Sequence, residues 1–239
     1  MKVKPYEVFS KVYDYLMNPE FYKKYLRFIK MIIRKHKIHP KKILDVACGT
    51  GKLAKMLKNE GFEVTGIDSS PEMIKIAKKR GIKCYLMSME NFKLNEKFDM
   101  IISTYDSVNY LSRTKLRKFV RNAYFHLNEN GVLIFDINSP KKIINKLQKR
   151  GTMFFSTNNF DVVWISGGTT SWISKIIIYE HVKGNLYRKY VEIHREYIHD
   201  TSFIIDTLKS VGFKRVFVYS DFKLKNRCEG NRIFFVARK

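Results

Sequence analysis

The sequence predicts an α/β protein: a doubly wound, seven-stranded, mostly parallel sheet carrying an antiparallel β insertion after the fifth strand. Three observations carry this reading. Short apolar runs alternate with helical stretches at a regular pitch from Ile43 to Ile137. A small-residue turn, Ala47-Cys48-Gly49-Thr50-Gly51, joins the first run to a helix, as the front of a nucleotide-binding βαβ unit requires. Beyond Pro140 and one short helix, the pattern turns strand-like from Thr152 to Tyr197, after which helix and strand return.

In chain order, Tyr6 to about Met17 and Phe21 to His36 read as helices, the second with Tyr22, Tyr25, Phe28, Ile29 and Ile32 on one stripe. Residues 1–40 would form a helical flap over the strand ends. Pro40 breaks the pattern, and strand 1 follows from Ile43. The helix from about Gly51 to Asn59 stops at Gly61, and strand 2, Glu63 to Ile67, closes on Asp68. Ser69, Ser70 and Pro71 start a helix reaching about Arg80. Strands 3 and 4 are Lys83 to Met87 and Phe98 to Ser103, with a loop between them. A helix from Thr114 to Leu127 and the turn Asn128–Gly131 lead to strand 5, Val132 to Ile137. After a helix from Lys141 to about Gln148, residues 151–199 form the insertion. Its β formers include Val162, Val163, Trp164, Ile176 and Ile178, and Gly167-Gly168 and Gly184-Asn185 are its turns. A helix from Ser202 to Ser210 then precedes a final hairpin with a long connection, Lys214 to Tyr219 and Arg232 to Ala237. Residues 1–150 and 200–239 make the main domain.

Composition bounds the function. At 239 residues, 45% hydrophobic and 14% aromatic, the chain can bury one large core. No run approaches 18 apolar residues, so a membrane span is excluded. The start, MKVKPYEVFS, has no apolar signal region, and three scattered cysteines fit a reducing cytoplasm better than a disulfide framework. His36 and His39 lack a third ligand, so no metal is expected. Lys+Arg 46 against Asp+Glu 22 gives +24. That charge suits a polyanion such as RNA, but equally a lysine-rich or high-temperature proteome, and the basic residues come as dispersed pairs.

Two ligands fit the glycine turn. Gly49-x-Gly51-x-x-Ala54 matches the dinucleotide fingerprint, so NAD(P) is one. In either case Asp68 offers its two oxygens to a ribose diol. Asp45, inside strand 1, and a C-terminus without a separate hydride-transfer domain favour an adenosine ligand of another kind.

Four stretches, in order and at matching spacing, extend that preference. They are Asp45-Val46-Ala47-Cys48-Gly49-Thr50-Gly51, Gly66-Ile67-Asp68-Ser69-Ser70-Pro71-Glu72-Met73, Ser88-Met89-Glu90, and Phe98 to Ser103 with the following Thr104 to Leu111. On them the sequence resembles the class I S-adenosylmethionine-dependent methyltransferases over nearly its whole length. Lys52 replaces a frequent third glycine, and Ser88 stands where an acidic residue usually precedes Met89. Val12-Tyr13-Asp14, the inserted strands and Glu192 to Tyr197 together resemble the small-molecule branch with a β lid, which includes sugar-amine and amino-acid N-methyltransferases.

The resemblance implies S-adenosylmethionine as cofactor and methyl transfer to nitrogen or oxygen of a small acceptor, without metal. It assigns cofactor contacts to Asp45, Ala47, Gly49, Gly51, Asp68, Ser69, Met73, Met89, Glu90, Ser103 and Thr104. Tyr13 and Tyr105 would line the methyl pocket, and Asp106 and Asn109 would bind the acceptor. His194 is the candidate base, since period-two geometry puts it on one strand face with Glu192 and Glu196. An RNA methyltransferase, or a non-catalytic S-adenosylmethionine- or nucleotide-binding protein, stays open beside this reading. A monomer or a homodimer is expected.

Overall fold

Successive side chains leave a strand on opposite sides, so the apolar central strands need cover on both faces. The computed structural model describes residues 1–147, 151–168, 171–226 and 230–239. The parallel strands are β1 (Lys42–Val46), β2 (Glu63–Asp68), β3 (Lys83–Leu86), β4 (Phe98–Ser103) and β5 (Leu127–Asn138). One face packs Ile43, Met100, Ile102 and Phe234 against helices α2 (Pro19–Lys35), α3 (Lys52–Asn59) and α4 (Pro71–Lys79). The other packs Leu44, Ile101, Leu133 and Phe235 against α5 (Arg113–His126) and α7 (Thr201–Val211).

With β10 (Arg215–Ser220), β11 (Lys223–Asn226) and β12 (Arg232–Arg238), the strand order is β11-β10-β12-β5-β4-β1-β2-β3. Strand β12 runs antiparallel between β5 and β10. The chain leaves β1 toward β2 and β3, then crosses back to place β4 on the other side of β1. Such a switch point opens a crevice at the carboxyl ends of the strands.

The large sheet has eight strands where the sequence suggests seven. The extra one, β11, lies in the connection of the last hairpin. Asp221 and Phe222, at φ 48° and 62°, turn the chain tightly back on β10. Four residues, Lys-Leu-Lys-Asn, are too short and too charged to announce a strand. The helix after strand 5, α6 (Pro140–Leu147), is present, while its expected end, Gln148, and Cys228 lie outside the described residues.

The insertion is a separate antiparallel sheet, β6 (Gly151–Ser156), β7 (Phe160–Gly167), β8 (Ser171–Lys183) and β9 (Leu186–Tyr197), in sequential order. Gly184, at φ 54°, supplies the β8–β9 turn. Its Val162, Ile176, Ile178 and Tyr190 pack on Val8, Phe9 and Val12 from the N-terminus. The N-terminal flap therefore divides: α2 covers the large sheet, while the first residues and α1 (Ser10–Leu16) cover the insertion. Helix α1 starts later than Tyr6 because Tyr6 sits at φ 64° and the amides of Val8 and Phe9 are claimed by Glu192.

Candidate active site

The turn after β1 is built on positive φ angles at Ala47, Gly49 and Gly51, of 59°, 55° and 76°. A side chain at Gly49 would meet nothing within 4 Å, so bare backbone faces open space there. Gly51 does another job. A Cβ there would lie 3.1 Å from Ala77 Cβ, so the glycine lets α3 pack on α4 and does not line the cleft. Asp68, ending β2, receives the Gly49 amide on Oδ2 at 2.9 Å and the Ser70 amide on Oδ1 at 2.8 Å. Burial holds its carboxyl above the usual range, although those amides pull it back. Asp14, next to Tyr13, clamps the same turn by accepting from Thr50 Oγ1 at 2.9 Å and from Arg80 at 2.6 Å.

Asp45 is buried beneath this turn, and its Oδ1 finds no hydrogen-bond partner among the described residues. Burial first, then the charge of Asp68, pushes its carboxyl up to about 8. Ser103 Oγ, ending β4, is likewise buried and unpartnered among the described residues. The Thr104 carbonyl accepts from Ser107 Oγ at 2.8 Å, and Thr104 does not line the cleft.

A cavity of about 370 Å³ opens above the turn. Ala47, Gly49, Asp68 and Ser69 form its floor, and Met73, Met87 and Met89 flank it. Lys4, Pro5 and Tyr6 line it from the N-terminal segment, and Tyr13, Tyr105 and Tyr110 line it as well. Glu90 is directed elsewhere, to Lys115 at 2.6 Å, and borders a different surface groove.

A second cavity of about 180 Å³ shares Tyr6, Tyr13, Tyr105 and Tyr110 with the first. Trp164 and Trp172 wall it from the insertion, and Asp106, His194 and Glu196 add polar groups. Tyr105 and Asp106 adopt φ of 64° and 53°, a conformation that side chains disfavour. A buried network holds them there. The Tyr105 amide donates to Tyr25 Oη and the Asp106 amide to Asp136 Oδ2, both at 3.0 Å. Arg232 bonds Asp136, Asp106 (2.7 Å) and Tyr25 (2.9 Å). Asn109 lines neither cavity. It donates to the Tyr197 carbonyl and accepts the Asn138 amide, each at 2.9 Å, bracing the insertion against β5.

His194 reaches the second cavity with both ring nitrogens engaged. Nε2 lies 2.9 Å from Glu192 Oε2, and Nδ1 lies 3.1 Å from the Tyr110 hydroxyl. Tyr6 donates to Tyr110 Oη at 2.8 Å, completing a chain from the shared wall to the buried Glu192. Burial raises the hydroxyls of Tyr6, Tyr13, Tyr105 and Tyr110, so they stay neutral and able to donate. Sequence reasoning did not single out Tyr6, Met87, Ser107 or Tyr110 as site residues. Ser107 and Tyr110 lay within a stretch already singled out, and Met87 ends the expected strand 3 just before another; Tyr6 gave no signal, because its place depends on a strand far along the chain.

A glycine turn at a switch point, a carboxylate ending the second strand and a roofed cleft define an α/β enzyme for an adenosine-bearing ligand. S-adenosylmethionine fits the cleft: backbone is bare at Gly49 and Asp68 lies on the floor, while Asp45 and Ser103 are buried without lining it and carry unanswered polar atoms among the described residues. Residues 43–131 match a methyltransferase-domain family model. A Geobacillus sp. (strain WCH70) protein assigned as a methyltransferase is 30% identical, covering 98% of this chain and 99% of its own. A crystal structure of an S-adenosylmethionine-dependent methyltransferase from Clostridium acetobutylicum superposes with TM-score 0.80 at 25% identity, covering 98% of each chain. The dTDP-3-amino-3,4,6-trideoxy-α-D-glucopyranose N,N-dimethyltransferase of Streptomyces venezuelae is 31% identical over 55% of this chain and 58% of its own. The chain belongs to the class I S-adenosylmethionine-dependent methyltransferases. Among the described residues, no helix is long and apolar enough to cross a membrane.

Proposed function

We propose that this methyltransferase acts on a nitrogen or oxygen of a small polar acceptor held in the second cavity, with amines the best-suited class. The cavity shared with the cofactor cleft through four tyrosines carries the proposal. Its volume suits a small molecule, and its indole and phenol rings, with Glu196 beside them, suit a cationic or hydroxylated amine. The two cations on its wall are engaged: Arg232 with Asp106 and Asp136, Lys142 with Asn138 Oδ1. The amino-sugar N,N-dimethyltransferase among the relatives supports the same class.

S-adenosylmethionine, when bound, supplies a methyl group on a sulfonium that is its own leaving group. Asp68 and the Gly49 backbone would hold its ribose and methionine ends, and Met73 and Met89 its adenine. Asp45 and Ser103, buried and outside the cavity lining, would act on it only through the glycine turn and the end of β4, and Ser69 and Ala47 would close the floor. The tyrosine wall aligns the acceptor and excludes water, which is most of what an in-line displacement asks of a protein. An ammonium must lose a proton before it can attack. Tyr6 and Tyr110 offer that proton a path to His194 Nδ1, and Glu192 then stabilises the imidazolium.

The +24 charge favours a second reading, RNA as acceptor. Labelled S-adenosylmethionine, offered with amino sugars, amino acids, their hydroxyl analogues and bulk RNA, separates the two. Label in the amine pool is the expected result. Label confined to RNA, falling steeply with salt, would overturn the small-molecule assignment. Buried free thiols at Cys48 and Cys84 support a reducing, cytoplasmic setting.

A further inference from the structure

Glu192 lines neither cavity, yet it is a carboxylate on β9 with 0% of its surface exposed. An ionised carboxylate leaves water only where donors replace its hydration. Four do so here: the amides of Tyr6 (2.7 Å), Val8 (2.8 Å) and Phe9 (2.7 Å), and His194 Nε2 (2.9 Å). Three of these donors belong to one short N-terminal segment. The beginning of that segment is anchored separately, by an isolated parallel bridge from Lys2 to Val191 of β9. The Val3 amide donates to the Val191 carbonyl at 3.0 Å, and the Val191 amide to the Met1 carbonyl at 2.8 Å.

Lys4 and Pro5, between the two anchors, and Tyr6, the first residue of the second, line the cofactor cleft. Tyr6 is held at φ 64°, where a non-glycine residue stays only if its surroundings fix it, and Glu192 grips its amide. Its ring then stands edge-on to His194, centroids 4.8 Å apart, as part of the wall between the cavities. One carboxylate thus ties down the roof of one cavity and orients a wall of the other.

We propose that Glu192 is a positioning residue: by gathering the amides of Tyr6, Val8 and Phe9 it folds residues 1–9 as a strap over the bound cofactor. The same carboxylate orients His194, so the roof and the Tyr6–Tyr110–His194 chain form together. Strap release then governs how fast the cofactor product leaves. This rests on the cofactor assignment made above.

Hydrogen exchange of the full chain, with and without S-adenosylhomocysteine, tests it alongside the dissociation rate of that ligand. In the wild type the amides of Tyr6, Val8 and Phe9 are expected to exchange slowly, and more slowly with ligand. In Glu192→Gln they should exchange at least tenfold faster, and the ligand should leave at least tenfold faster. Peptides from β4, β5 and α5 should keep their wild-type exchange. Tyr6→Phe, which removes only the hydroxyl, should keep the strap protected and the ligand rate unchanged, while kcat falls without a matching change in KM. Unchanged strap protection in Glu192→Gln, or a loosened strap with an unchanged ligand rate, would overturn the proposal. If Glu192→Gln exchanges globally, deletion of residues 1–5 replaces it: faster ligand release with native exchange elsewhere supports the strap, and an unchanged rate sinks it. Failure of the wild type to bind the ligand at all would remove the cofactor assignment itself and the strap's role with it.

Discussion

Replacing Asp45 by asparagine should stabilise the cofactor-free protein, and by an amount that grows with pH. The Asp45 carboxyl is fully buried beneath the glycine turn, lacks a partner for Oδ1, and titrates at about 8, against about 3.9 in an unfolded chain. A carboxyl raised in the folded state favours folding in its protonated form. That contribution is complete below about pH 4 and is lost progressively as pH rises through about 8. Between pH 5 and pH 8 the wild type should therefore lose stability relative to Asp45→Asn by about 1.4 kcal/mol per pH unit, up to about 4 kcal/mol. Asparagine removes the titration while keeping the shape. Urea unfolding of both proteins at pH 5, 6, 7 and 8 measures the difference directly, and comparing the two cancels raised groups that Asp45 does not touch, such as Asp136. The same variant should bind S-adenosylhomocysteine more weakly, since the turn or the ligand's ammonium loses a carboxylate. A stability difference that stays flat from pH 5 to pH 8 would refute the reasoning, because Asp45 would then be ionised at little cost.

Two further substitutions test the packing behind the site. Gly66→Ala would set a Cβ 2.7 Å from Cys48 Sγ and 3.1 Å from Cys48 Cβ, directly under the glycine turn. Unfolding should show a loss of about 1–3 kcal/mol, partly restored by adding Cys48→Ala; no restoration would mean that some other contact carries the strain. Arg232→Met leaves Asp136 and Asp106 without their shared cation, and should cost about 3–5 kcal/mol, part of it recovered with Asp136→Asn. A melt unchanged by Arg232→Met would show that Tyr25 and the backbone amides alone hold the Tyr105–Asp106 loop.

What could be read from the sequence was local. The parallel strands were legible because Ile43 to Val46, Glu63 to Asp68 and Phe98 to Ser103 are short runs rich in β formers that lead into small-residue or serine-containing turns. Asp68, Met73 and Met89 lie on the cleft as their motifs suggested. Misplacements came where one residue type has two uses. Gly51 matched a binding motif but serves helix packing, Glu90 followed Met89 in sequence but pairs with Lys115, and Asn109 braces two elements from within. The roof was hidden for a different reason. Nothing in Lys4-Pro5-Tyr6 marks it as a wall, because Glu192, 186 positions beyond Tyr6, creates it. Non-local hydrogen bonds of this kind leave no periodicity to read.

The central claim is that the adenosine ligand docks at the carboxyl edge of the sheet with its ribose on Asp68. Calorimetric titration of S-adenosylhomocysteine into wild type and Asp68→Asn tests it most directly, with NADPH as the competing ligand. Wild type should bind S-adenosylhomocysteine and not NADPH, and Asp68→Asn should bind about 1.5–3 kcal/mol more weakly, roughly 10- to 150-fold. Equal affinity in the two proteins, or binding of NADPH alone, would contradict it.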